Sequence, residues 1–120
     1  MEIKQISTDT KNAVRALGAL AQDNRLAAFR MLVQAGPIGV AAGELADRLG
    51  VPPSSLSFHL AQLSNAGLVG QRRQGRSLIY SADYAAMATL MGFLTDNWCG
   101  GAASCAQPCL LPEISERNVA

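Results

Sequence analysis

The stretch that decides the fold reads Glu44-Leu-Ala-Asp-Arg-Leu-Gly50, then Pro52-Pro53, then Ser54-Ser-Leu-Ser-Phe-His-Leu-Ala-Gln-Leu-Ser-Asn-Ala66. The first segment has the apolar spacing of a short amphipathic helix and is closed by a glycine. The prolines restart the chain, because proline fits the first turn of a helix, where its missing N–H does no harm. The third segment therefore predicts a second helix, which Gly67 closes.

A β-hairpin is predicted directly after these helices. Leu68-Val69 and Leu78-Ile79-Tyr80 flank the basic sequence Arg72-Arg73-Gln74-Gly75-Arg76, so two strands enclose a basic tip. A helix-turn-helix followed by a basic β-wing holds a helix in the major groove of DNA. The stretch thus predicts a mainly α fold with a small β-hairpin wing, a winged helix-turn-helix, with double-stranded DNA as its partner.

Two helices are predicted before this stretch. The first is capped by Ser7-Thr8-Asp9, runs to about Leu20 and places Val14, Leu17 and Leu20 on one face. The second covers residues 25–35, after the capping residues Asp23-Asn24. Its apolar residues keep helical spacing, which indicates a core helix.

The last predicted helix, residues 84–97, is apolar nearly all round, so both of its faces must be covered. In so small a domain one face can lie on the core, and the other then needs a second subunit. An isologous two-fold contact is the commonest solution. We therefore expect a homodimer through the N- and C-terminal helices. Residues 1–98 would form the DNA-binding and dimerisation domain, and residues 99–120 a C-terminal tail that contains the cysteines.

The net charge of the 120-residue chain is only +1, but its charges are unevenly distributed. Between Arg48 and Ala82 there are four arginines and no Asp or Glu, the electrostatic footprint that phosphate binding requires. A solvated loop that happens to carry arginines is the alternative, which the preceding helix pair disfavours. No apolar run is long enough to span a membrane, and the N-terminus has no hydrophobic signal segment, so we expect a cytoplasmic protein.

The second helix of the pair has two distinct faces. Leu56, Leu60 and Leu63 share one stripe, which must face the core. On the opposite side, Phe58 could contact a thymine methyl and Gln62 could pair with an adenine edge. The alternative for the phenylalanine is packing on a neighbouring loop or on the wing. The only histidine lies at the edge of the core stripe, where it would support the helix or touch a phosphate.

Four segments together resemble the ArsR/SmtB family of winged-helix repressors over residues 14–98. They are Leu20-Ala-Gln-Asp-Asn-Arg-Leu26, Glu44-Leu-Ala-Asp-Arg-Leu-Gly50, Ser54-x-x-Ser57-x-His59-Leu60-x-x-Leu63-x-x-Ala66-Gly-Leu-Val69 and Arg72-Arg73-x-Gly75-Arg76-x-x-x-Tyr80. The resemblance implies a homodimer that binds an operator, blocks transcription and leaves when a metal or metalloid binds. The positions that match the family's DNA contacts are Ser54, Ser55, Ser57, Phe58, His59, Gln62, Arg72, Arg73 and Arg76. Members often have a serine cap and a paired His-His, where this chain has Pro52 and Phe58-His59.

The cysteines form a cluster near the C-terminus, at Cys99, Cys105 and Cys109. Gly100-Gly101 lets the chain turn back, so three sulfurs can converge on one ion. Three thiolates without histidine or carboxylate neighbours select a soft ion, and trivalent arsenic or antimony takes three thiolates without a fourth ligand. A structural zinc site wants four ligands, and neither a fourth cysteine nor a second histidine exists.

The family's known effector sites are absent here. Arsenic sensors often carry Cys-x-Cys before the recognition helix, where this chain reads Val40-Ala-Ala-Gly-Glu44. Zinc sensors usually place Asp and His ligands on the last helix, where this chain has Asp83 and Asp96 but no histidine. The chain instead resembles arsenic-responsive members whose ligands follow the last helix. We expect As(III) or Sb(III) as effector of the three cysteines, with no required cofactor. A thiol redox switch, a cadmium or lead site, and a tail with incidental cysteines remain the alternatives.

Enzymatic activity, such as that of a thiol oxidoreductase or an arsenate reductase, is not expected. The sequence has no C-x-x-C, no Gly-rich phosphate loop and no second histidine to activate a cysteine. A winged helix used only for protein contact is a further alternative, but its wing need not be so basic.

Overall fold

The computed structural model describes residues 8–96, which form five helices and a three-stranded sheet. The elements are α1 (Thr8–Leu20), α2 (Asp23–Ala35), β1 (Val40–Ala41), α3 (Ala42–Leu49), α4 (Pro53–Asn65), β2 (Val69–Gln74), β3 (Ser77–Ala82) and α5 (Tyr84–Leu94). The chain divides into two compact units, one up to Leu90 and one from Met91, so the boundary falls within α5. The predicted start of a tail at residue 99 lies outside the described residues.

α1 turns its alanines inward and its larger apolar side chains outward. Ala13, Ala16 and Ala19 are buried, whereas Val14 is 63% and Leu17 is 42% exposed. Of the predicted apolar face, Val14 and Leu17 are therefore directed away from the core, whereas Leu20 is half-buried and packs on it. Alanines at a spacing of three let the helix approach its neighbours closely, which explains their inward position. The predicted cap residue Ser7 lies outside the described residues.

α2 begins two residues earlier than predicted. Its N-cap is Gln22, whose side-chain Oε1 accepts a hydrogen bond from the Arg25 backbone N–H at 3.0 Å. The prediction that Asp23-Asn24 caps this helix is therefore wrong, since both residues are helical. The helix ends as predicted at Gly36, whose φ of 84° suits glycine.

β1 is a two-residue strand that the sequence did not predict. It pairs antiparallel with β3, with Val40 opposite Tyr80, and the sheet order is β1-β3-β2. Gly39, directly before β1, has φ 77°, and a Cβ at this position would clash with the Tyr80 carbonyl oxygen and lie 2.9 Å from Ile79 Cγ2. Main-chain pairing therefore attaches the hairpin of β2 and β3 to the start of α3.

The largest side chains of the core are leucines, contributed by the helices and by the residue directly before β2. The largest fully buried side chains are Leu32, Leu45, Leu56, Leu60, Leu63 and Leu68. Burial of each such leucine stabilises the fold by about 1.5–3 kcal/mol. The predicted core stripe of α4 is confirmed, because its three leucines are at most 2% exposed.

α5 is attached to the core at its beginning and exposed near its end. Asp83 caps it by accepting the Ala86 N–H at 3.0 Å, and the Tyr84 hydroxyl donates to the Val33 carbonyl at 2.8 Å. Met87 and Leu90 are half-buried and pack on the core. Met91, Phe93 and Leu94 are exposed.

None of the helices in residues 8–96 has both the length and the apolar character needed to cross a bilayer.

Candidate nucleic-acid interface

A tight turn fixes the direction of α4 relative to α3. Gly50 adopts the left-handed conformation, with φ 70° and ψ 33°, and its N–H donates to the carbonyls of Ala46 at 2.9 Å and Asp47 at 3.3 Å. Pro52 is extended and Pro53 is the first helical residue, as predicted. Only three residues separate the two helices, so they form a helix-turn-helix.

The outer face of α4 carries the side chains that were predicted to read DNA. The exposed ones are Ser54, Ser55, Ser57 and Phe58, while His59 and Gln62 are half-buried. The Phe58 ring is 57% exposed and lies edge-on to the His59 ring, with 5.8 Å between their centroids. The phenylalanine therefore lies outside the core and remains available to a groove of DNA.

His59 is held by a residue that the sequence analysis did not single out. The Arg25 side chain reaches from the first turn of α2, and its Nη1 lies 3.3 Å from His59 Nδ1. The same guanidinium donates from Nε to the Ala19 carbonyl at 2.6 Å. One side chain thus connects the end of α1 with the middle of α4.

The wing is longer than predicted, because its strands include most of the predicted tip. β2 extends through Gln74, and Arg72 and Arg73 pair with Ile79 and Leu78 of β3. The turn itself contains Gly75, with φ 65°. The prediction that Arg72 and Arg73 lie at the tip is therefore wrong. Neighbouring residues of a strand point to opposite faces, so the two arginines are directed to opposite sides of the hairpin.

The four arginines of the acid-free segment differ in their partners. Arg48 forms an ion pair with Glu44 at 2.5 Å, and Arg72 donates from Nη2 to the Ile38 carbonyl at 2.8 Å. Arg73 and Arg76 are exposed and make no hydrogen bond or ion pair with any residue in the described part of the chain.

A shallow depression lies between the wing and the start of α3. It is lined by Ala41, Ala42, Gly43, Arg73, Arg76, Ser77 and Leu78. Its lining therefore has two guanidinium groups and no carboxylate. Such a surface attracts phosphate, and it lies beside a helix-turn-helix, where a DNA backbone would pass.

The predicted metalloid ligands Cys99, Cys105 and Cys109 lie outside the described residues. Within residues 8–96 no group of three metal-ligating side chains comes together. Asp83 and Asp96, the two acids near the ends of the last helix, therefore do not belong to such a cluster.

Comparisons with known proteins agree with this geometry. The model of a helix-turn-helix domain family matches residues 20–72. The HTH-type transcriptional regulator YgaV of Escherichia coli K12 is 30% identical over 98 residues, which make up 82% of this chain and 97% of YgaV.

Three solved structures extend the similarity to the fold. HlyU from Vibrio cholerae N16961, which is a transcriptional activator, superposes with a TM-score of 0.62 at 31% identity, covering 78% of this chain and 98% of HlyU. Reduced HlyU gives a TM-score of 0.60 at 28% identity, covering 82% of this chain and 99% of HlyU. The third structure is the homodimeric winged helix-turn-helix DNA-binding domain of Mb0332 from Mycobacterium bovis, a possible ArsR-family transcriptional regulator. It superposes with a TM-score of 0.58 at 26% identity, covering 78% of this chain and 86% of the Mb0332 domain.

An exposed second helix of a helix-turn-helix, followed by a paired β-wing, defines a winged helix-turn-helix protein. The chain belongs to the ArsR family of winged helix-turn-helix transcriptional regulators. This family consists of regulators and not of enzymes, which agrees with the sequence prediction.

Proposed function

We propose that this chain is a homodimeric repressor that binds operator DNA and is released by trivalent arsenic or antimony. The observation that supports DNA binding most strongly is the exposed outer face of α4 beside a wing whose Arg73 and Arg76 bond no residue among 8–96. A helix with this exposure fits the major groove, while a basic wing can contact the flanking backbone. Such a regulator would act in the cytoplasm.

The proposed contacts fall into two groups. Ser54, Ser55, Ser57 and His59 lie near the start and middle of α4 and would bond phosphates or nearby base edges, whereas Phe58 and Gln62 would read bases. The wing residues Arg72, Arg73 and Arg76 would contact phosphates, with Arg72 contributing less because its guanidinium already bonds Ile38.

A dimer is supported by the apolar side chains that α1 and α5 each leave exposed. On α1 these are Val14 and Leu17, and on α5 they are Met91 and Leu94. Side chains of this size in contact with water favour a protein partner. The Mb0332 domain is homodimeric, and a two-fold dimer would place two copies of α4 on successive half-sites of one duplex.

The effector proposal depends on the chemistry of the three cysteines. Cys99, Cys105 and Cys109 would bind As(III) or Sb(III) as thiolates, with release of protons. Cys99 follows Trp98 soon after α5, so ligation there is well placed to change the geometry of the dimer. Because coupling is reciprocal, operator DNA should weaken As(III) binding by the same factor by which As(III) weakens DNA binding.

A thiol redox switch is the second candidate, because the similar protein HlyU has been studied in a reduced form. Cadmium or lead, with three sulfurs and a weak further ligand, is the third. These candidates use the same cysteines but respond to different reagents, so one titration separates them.

The decisive experiment follows fluorescence anisotropy of a labelled duplex that the wild type selects from a random-sequence library. Under full reduction, arsenite should release the wild type, while each Cys→Ser variant should dimerise, bind normally and stay bound. Release by peroxide but not by arsenite would favour the redox switch, and release by cadmium alone the third candidate. If all three variants were released at the wild-type arsenite concentration, the cysteines would not be the sensor.

The sign of regulation needs its own measurement, since HlyU is an activator. In a purified transcription assay, the protein should reduce transcript from a promoter that contains the selected duplex, and arsenite should restore it. An increase in transcript on adding protein would show activation instead.

A further inference from the structure

Arg25 joins three helices at one point. Its side-chain Nε donates to the Ala19 carbonyl of α1 at 2.6 Å, and its Nη1 lies 3.3 Å from Nδ1 of His59 on α4. Its own backbone N–H is fixed by Gln22 at the start of α2. The guanidinium is therefore anchored at the Ala19 carbonyl and the backbone of Arg25 at Gln22, which limits the positions that the bonded histidine ring can take.

The chemistry of this contact determines where the histidine carries its hydrogen. A guanidinium has only donors and no acceptor, so His59 Nδ1 must accept the hydrogen bond from Arg25. A neutral imidazole has one donor nitrogen and one acceptor nitrogen. When Nδ1 accepts, the hydrogen lies on Nε2, at the other edge of the ring.

We propose that Arg25 is a positioning residue that holds His59 as the neutral Nε2–H tautomer, so that Nε2 donates a hydrogen bond to a phosphate oxygen of the operator. This inference rests on the proposed binding of DNA by α4. The ring is suited to the role because it is half-buried, bonds Arg25 through Nδ1 and has the Phe58 ring beside it at 61°.

The tautomer can be measured without DNA. His59 is the only histidine in the chain, so ¹⁵N-histidine labelling gives one pair of ring nitrogen signals. In the wild type these signals should show the hydrogen on Nε2. In Arg25→Met, which keeps much of the side-chain length but has no donor, the two tautomers should mix.

The effect on DNA is measured by anisotropy with the duplex that the wild type selects. Arg25→Met should weaken binding by the dimer by about ten- to hundredfold, the value of two net hydrogen bonds, one from each copy of α4. Tyr84→Phe is the matched control, because it removes the 2.8 Å bond to the Val33 carbonyl at the other end of α2. It should lower the melting temperature while leaving the tautomer unchanged and the affinity within about twofold.

A double-mutant cycle tests whether Arg25 acts through the histidine. His59→Gln carries a permanent amide donor, so Arg25→Met should have little further effect on affinity in that background. If Arg25→Met does not fold, His59→Gln is compared with His59→Asn. Glutamine should bind the duplex better than asparagine, because its amide reaches the Nε2 position and that of asparagine lies nearer Nδ1.

The outcomes separate this inference from the proposed function. The role of Arg25 would be overturned by any of three results. These are a wild-type signal with the hydrogen on Nδ1, an Arg25→Met effect on affinity that is as large in the His59→Gln background as in the wild type, and tighter DNA binding by His59→Asn than by His59→Gln. A wild type that selects no duplex at all would overturn DNA binding by α4, while the NMR result would still report the tautomer.

Discussion

Replacing Gly39 by alanine should separate the wing from the start of α3. A Cβ at this position would clash with the Tyr80 carbonyl oxygen and crowd Ile79 Cγ2, and both atoms belong to the strand that pairs with β1. Because the Tyr80 oxygen is a backbone atom, no side-chain rotation can relieve the clash, and the pairing of β1 with β3 must be disturbed.

A matched control separates the two contributions to the loss of stability, the positive φ and the steric clash of the added Cβ. Gly50 also has a positive φ, 70° against 77° for Gly39, but a Cβ there meets nothing within 4 Å. Gly50→Ala should therefore cost only the left-handed conformation, about 1 kcal/mol. Gly39→Ala adds the steric displacement, so its total should be about 3 kcal/mol.

Urea denaturation at one fixed protein concentration measures the difference. The midpoint of Gly39→Ala should lie about 1 M below that of Gly50→Ala, given the slope expected for a small protein. Gly39→Ala should also bind the selected duplex more weakly, because β1 no longer holds the wing beside α3. Equal midpoints for the two variants would refute the steric argument.

Three further predictions concern the surfaces. Leu94→Glu or Val14→Glu should yield monomers in sedimentation, because each side chain is exposed in the single chain and the glutamate would place a charge in the dimer contact. If either variant remained a tight dimer, the interface would lie elsewhere. Arg76→Ala should flatten the slope of log affinity against log salt by about 1.8, since a dimer loses two contacts worth about 0.9 each, and Arg72→Ala should change it less. Phe58→Ala should relax sequence preference in a selection experiment while leaving that slope unchanged, and a parallel loss of slope would contradict its role in base reading.

The parts of the fold that local sequence determines could be predicted. The leucine stripe of α4, the glycine that ends α3 and the proline that starts α4 act within a few residues of where they stand. Their effects depend on helical periodicity and on allowed backbone angles, which a single sequence reveals. The same holds for the glycine at the tip of the wing.

The features that the sequence did not reveal depend on contacts between residues far apart in the chain or on a residue type that is uncommon at its position. β1 is too short for any periodicity and exists because it pairs with β3, far along the chain. The link between Arg25 and His59 spans 34 positions, and the bond from Arg72 to Ile38 spans 34 as well. Glutamine is also an uncommon helix cap, so nothing in the sequence favoured Gln22 over its neighbours.

Leu90 shows how such long-range packing alters the choice of a residue to substitute. The sequence suggests Leu90 as a dimer residue, because α5 is apolar nearly all round. In the structure Leu90 is half-buried and packs on the core of its own chain. A charge at this position would test the stability of the domain, so Leu94 is the cleaner choice.

The inward alanines of α1 have a consequence for how the regulator senses its own abundance. Alanine offers little apolar area, so apart from the packing of Leu20 α1 gains little free energy from its own chain, and Val14 and Leu17 contribute only when another copy covers them. In the proposed dimer, the folding of α1 is then coupled to dimerisation, so a lower protein concentration destabilises both the helix and the dimer. Because the Ala19 carbonyl of α1 also anchors Arg25, a low concentration of the protein would weaken the positioning of His59 on α4. If dilution by growth exceeded synthesis of the regulator, its affinity for DNA would therefore fall before any metalloid binds.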